Sequence, residues 1–149
     1  MKNKISYLRK TNSEHAQSLV EFAISLLLIL TILTGAVEVS LALFEYVTIR
    51  DAAQEGALYG SVNPQDTVGI QNRVIDAAND GVGLTTSNII VKMNGGPCEG
   101  STIPGLTNTI TVTITYPHHV IMPLAGTFLG QQINLYANVT DTILSPICP

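Results

Sequence analysis

The chain has 149 residues, enough for one modest domain. A formal net charge of −4 argues against a nucleic-acid partner. Charged side chains make up only 12%, about half the share in an ordinary soluble domain, and most of the positive mean hydropathy of +0.32 comes from one segment.

The chain opens on a basic leader, with Lys2, Lys4, Arg9 and Lys10 against a single acid, Glu14. An apolar run from Phe22 to Phe44 follows, interrupted by one charge, Glu38. As a helix this run is about 34 Å long and would cross the roughly 30 Å hydrocarbon core. The basic bias lies on its N-terminal side, so the positive-inside rule predicts a cytoplasmic N-terminus, with everything after residue 45 outside. A cleaved secretory signal peptide is the competing reading, with Thr34-Gly35-Ala36 or Ser40-Leu41-Ala42 as small-residue cutting sites. The run is longer than the apolar part of such a signal and passes without a break into a helical pattern, so retention is expected.

Beyond the membrane the helical pattern continues, with no proline before Pro64. Ala52, Gly56 and Gly60 recur every four residues, flanked by Ala53 and Ala57. Such a stripe lets another element approach the backbone, within the same domain or in another subunit. Arg50, Asp51, Gln54 and Glu55 fall on the opposite face. After the turn at Asn63-Pro64-Gln65-Asp66, a second helix is expected with Ile70, Val74, Ile75, Ala77 and Ala78 on one face and Gly81 as its stop. From residue 87 the period changes to two. Three strands are expected over residues 88–93, 109–116 and 132–143, with Ile110, Val112, Ile114 and Tyr116 opposed to a row of threonines. They predict an antiparallel sheet with one face open to water and the other covered by helices. The intervening segment 94–105 is rich in glycine and proline, and segment 117–130 is apolar. The latter is read either as a short helix plugging the core or as an exposed patch against lipid or a partner.

No motif for catalysis, phosphate binding or a structural metal occurs, so an enzyme or a cofactor is not expected. His118 and His119 are neighbours and would point apart on a strand, so they are read as surface or loop-end side chains, not metal ligands. Asn138-Val139-Thr140 fits a glycosylation acceptor but sits within a strand, where chance explains it. Cys98 and Cys148 both fall on the oxidising side and lack metal or redox spacing. A disulfide between them is expected, worth about 4 kcal/mol for a loop of roughly 50 residues. Two free thiols, or pairing with another subunit, are the alternatives.

Glu21 admits two readings. Ser18-Leu19-Val20-Glu21 fits a capping box ahead of the apolar run, where the helix dipole also favours a carboxylate. Alternatively a peptidase cuts between Ala16 and Gln17, and Glu21 becomes the fifth residue of the mature chain. The new α-amine of Gln17 would then be largely protonated at neutral pH, since such amines ordinarily titrate at about pH 8. In a bundle of parallel helices it would pair with the carboxylate of the next subunit, making both charges tolerable in hydrocarbon. Glu38, an intramembrane carboxylate, either reaches the far interface or contacts a partner.

The stretch Ala16-Gln17-Ser18-Leu19-Val20-Glu21-Phe22, followed by an apolar helix, resembles the N-terminus of TadE-like proteins. These are pseudopilins or minor pilins of the tight-adherence (Flp) branch of type IV pili. Gly35-Ala36-Val37-Glu38 and Ala52-Ala53-Gln54-Glu55-Gly56-Ala57 extend the resemblance. Ala16 stands where the family usually has glycine, and Leu58 where arginine is common. The resemblance implies a non-enzymatic envelope protein, processed by a prepilin peptidase and needed for pilus assembly. The partners it implies are the lipid bilayer, that peptidase, other pilin or pseudopilin subunits and pilus-assembly membrane proteins. The expected fold is α+β, divided into a leader at 1–16, a transmembrane helix at 17–44 and an extracytoplasmic domain at 45–149. A permanently anchored single-pass binding or adhesion module, with its leader retained, is the alternative.

Overall fold

The computed structural model describes residues 4–78, 81–94, 108–122, 126 and 130–144, with side chains from Ala16 onward. The fold is α+β. Helix α1 covers Lys4–Val62, helix α2 covers Thr67–Ala78, and strands β1 (Ile89–Asn94), β2 (Thr109–His119) and β3 (Gln132–Thr142) follow. The chain divides into two units, residues 1–39 and 40–149.

In the first unit the helix is clothed in apolar side chains that nothing covers. Phe22, Leu27 and Ile32 are each more than 60% exposed. Among the described residues, one helix, over Ala16–Val62, is long and apolar enough to cross a membrane, and none of its most apolar window is buried. A soluble core helix would hide that surface, so the solvent suited to this face is lipid. The hydroxyls of Thr31 and Thr34 donate to the carbonyls of Leu27 and Leu30, at 2.8 and 2.7 Å. Their polar atoms are therefore satisfied within the helix, as hydrocarbon requires.

In the second unit the strands form a meander in the order β1-β2-β3, antiparallel throughout. Alternation sets which face each side chain takes. Ile110, Val112 and Ile114 are fully buried on the inner face, with Ile89 and Ala137 beside them. Against this face pack Ile49, Ala52, Ala53 and Ala57 of α1 and Ile70, Val74 and Ala78 of α2. Each large aliphatic side chain so buried stabilises the fold by about 1.5–3 kcal/mol. The small-residue stripe thus serves packing within the domain. Added carbon atoms would meet Val74 Cγ2 at Gly56 and Ile110 Cδ1 at Gly60, the latter at 2.6 Å. Arg50, Asp51, Gln54 and Glu55 face outward, as their spacing predicts.

Helix α2 is capped by Asp66, whose Oδ1 accepts from the Gly69 amide at 2.8 Å. The Tyr59 hydroxyl donates to Asp66 Oδ2 at 2.9 Å, so one carboxylate ties the end of α1 to the start of α2. This hydrogen bond is the main cause that raises the Tyr59 pKa above its ordinary 10.0. A group held protonated in the fold contributes stability that is complete below its unfolded pKa and is lost as pH rises through the folded one. Asp66→Ala should therefore lower the Tyr59 pKa, by removing the hydrogen bond that does most to raise it, and destabilise the domain by about 1 kcal/mol through the lost cap. Ultraviolet titration of tyrosinate and urea unfolding check the two parts separately.

Three expectations need correction. Ala77 is exposed on α2, because Ile70, Val74 and Ala78 already fill the narrow inward face. Gly81 does not follow the left-handed capping geometry, since the only positive-φ glycine among the described residues is Gly130. Its need is space: a Cβ there would lie 2.9 Å from the Phe44 ring. Strand β2 also runs on to His119, pairing Pro117, His118 and His119 with Asn134, Ile133 and Gln132. Proline is tolerated because β1 begins at Ile89, opposite Ile114. Beyond that point β1 offers no ladder bond for the missing N–H to break. The apolar segment after β2 lies largely outside the described residues, although the Gly126 amide donates to the Met122 carbonyl at 2.9 Å.

Candidate functional site

The candidate site is the first exposed part of the apolar helix, from Ala16 to Glu38. Helix α1 covers Lys4–Val62, so Ser18 and Glu21 lie well inside it. The capping-box reading therefore fails for the intact chain, because the amides it would satisfy are already in the helical ladder. Glu21 instead accepts a hydrogen bond from Gln17 Nε2 at 3.3 Å, one turn back. Ala16, Gln17 and Glu21 are all exposed, so the junction between residues 16 and 17 is not shielded by the fold. Glu38 is half-buried, three residues after Gly35, around whose position no atom lies within 4 Å of an added Cβ. Cys98 and Cys148 lie outside the described residues, and so does any bond between them.

Sequence reasoning missed a second polar site in the second unit. His118 is 2% exposed, and its Nδ1 lies 2.7 Å from Glu45 Oε2. This overturns its reading as a surface or loop-end side chain; His119, its neighbour, is exposed. The cause is the extension of β2, which turns every second residue from Ile110 to His118 inward. Glu45 also contributes to raising the Tyr116 pKa, after the larger effect of burial. The pair joins α1, just past the apolar run, to the far end of the central strand. No local signal marks it, since the partners are 73 residues apart.

Among the described residues, no three His, Cys, Asp or Glu side chains converge as a metal site. An open groove of about 560 Å³ between α1 and β3 is lined by Asp51, Glu55, Leu58, Val139 and Asp141. Three carboxylates, Gln54 and the Thr140 hydroxyl are its polar groups, and no histidine or cysteine lines it.

The exposed apolar helix with an acid near its start, running directly into a small-residue packing face, matches one known family. Residues 16–58 match the TadE-like protein family. The match covers the exposed apolar helix and the packing stripe, and stops before α2 and the sheet. It bears out the resemblance seen in the motifs at Ala16, Gly35 and Ala52. With the apolar helix over Ala16–Val62, the TadE-like match fits a pilin-type membrane protein. No curated protein and no solved structure shows significant similarity to the chain.

Proposed function

We propose that this protein is a membrane-anchored, non-enzymatic pseudopilin or minor pilin that takes part in assembling a tight-adherence pilus. The observation that carries the reading is the TadE-like match over 16–58, which spans an apolar helix with an uncovered surface. The leader is cytoplasmic, the helix spans the bilayer once, and residues 45–149 lie outside. A prepilin peptidase removes residues 1–16, exposing the amine of Gln17. In the intact helix Gln17 already sits beside Glu21. After cleavage, the amine of one subunit pairs with Glu21 of another, so that neither charge stays unpaired in hydrocarbon. Glu38 belongs to the same membrane surface, near its outer end.

One experiment tests both steps. Intact mass of protein extracted from membranes should show a chain lacking residues 1–16. Glu21→Gln should then yield processed, folded monomer that no longer enters pilus assemblies, because glutamine keeps the hydrogen-bonding shape and loses the charge. A mass that retains the leader would favour the second reading, a permanently anchored binding module, which the alanine at position 16 also favours. Normal assembly by the glutamine variant would remove charge pairing from the mechanism.

A further inference from the structure

The outward face of the sheet differs in chemistry from the rest of the extramembrane unit. Thr111, Thr113 and Thr115 form its central row on β2. Across one side they meet Thr140, Asn138 and Tyr136 of β3. Across the other, Thr113 meets Ile90 and Thr111 meets Lys92 of β1. The Thr111 and Thr140 hydroxyls bond each other at 2.9 Å. Tyr136 is 61% exposed and Ile90 51%. The side chains of Asn134, Tyr136 and Asn138 make no hydrogen bond to another described residue. Lys92 is the only permanent charge among the strand positions of this face, and no acid stands on it, whereas acids outnumber bases over residues 45–149 as a whole.

We propose that this face binds a neutral glycan chain. A sugar ring presents flat C–H faces and a rim of hydroxyls. The exposed Tyr136 ring supplies an apolar plate for such a face. Residues two apart on a strand are about 6.7 Å apart. Asn134 and Asn138 therefore flank the ring on both sides, with amides able to donate to and accept from the hydroxyl rim. Thr113 and Thr115 extend the hydrogen-bonding row across the neighbouring strand. Charge matching selects against other ligands. An anionic polymer would find only Lys92 and be repelled by the acidic remainder, and a cationic one would find no carboxylate on the face. A protein partner of ordinary interface size would need a continuous apolar centre, and Ile90 and Tyr136 are separated by the threonine row. The proposal is independent of the pilus reading, since it uses no residue of the TadE-like segment.

The test uses the full chain in lipid nanodiscs, because sugar-headed detergents would compete. The probes are the hexamers of β-1,4-linked glucose and of β-1,4-linked N-acetylglucosamine, titrated by calorimetry at low and at high salt. Saturable binding of at least one hexamer, unchanged by salt, is expected. Tyr136→Ala should weaken it about tenfold, the loss of one stacked ring, and Asn138→Ala severalfold, both with unchanged circular dichroism. Binding of neither hexamer would overturn the proposal. So would full affinity in Tyr136→Ala, or a self-association that Tyr136→Arg abolishes, which would assign the face to a second copy of the chain.

Discussion

His118→Ala should cost the domain formed by residues 40–149 about 3 kcal/mol, a large part of the stability of a domain this size. Two losses combine. The imidazole is 2% exposed, so its removal leaves a void in a packed face. Glu45, whose side chain is only 22% exposed, loses its partner at 2.7 Å and is left without it in a poorly solvated place. Glu45→Gln should cost less, about 1 kcal/mol, because the amide still offers an oxygen to the ring. Urea unfolding of the two variants and the double variant separates the pair from the packing. Equal midpoints for wild type and His118→Ala would show that the pair does not hold the sheet to the helix. A defect of this size would lower the yield of folded protein, so assembly assays on His118 variants should be read beside their stability.

Gly56→Ala should destabilise the same domain by about 2 kcal/mol, against the sign that helix propensity alone predicts. Alanine normally gains up to about 1 kcal/mol over glycine inside a helix. Here the new methyl would overlap Val74 Cγ2 and lie 3.6 Å from the Ile70 carbonyl. Val74 is β-branched, buried and confined to essentially one rotamer on α2, so it cannot turn aside. Gly60→Ala should be milder, since it meets the ends of Ile110 and Ile70, at 2.6 and 3.1 Å. Gly35→Ala supplies the control: nothing lies within 4 Å of its Cβ, and domain stability should not fall. Thermal unfolding followed by circular dichroism ranks the three. If Gly56→Ala proved as harmless as Gly35→Ala, close packing of α1 on α2 would not depend on that glycine.

Local pattern was enough where a single periodicity governs a long segment. The apolar run from Phe22 to Phe44 marks a helix long and apolar enough to cross a membrane, because length and composition alone decide that. The alternation from Thr109 to Tyr116 marks a strand with one buried face, and Ile110, Val112 and Ile114 are buried there. The TadE-like stretch is legible for the same reason: its motifs are contiguous and need no folding to be seen. Tertiary structure alone decided the rest. The stripe at Ala52, Gly56 and Gly60 favours packing within the domain but also suits a subunit contact, and Val74 and Ile110 packed against it decide for the former. Pro117 looked like the end of a strand, yet the shortness of β1 leaves β2 room to carry it. His118 looked like a surface residue because its nearest sequence neighbours are proline and another histidine. Burial and a carboxylate partner 73 positions away give it a structural role, and long-range contacts of that kind leave no trace in local spacing.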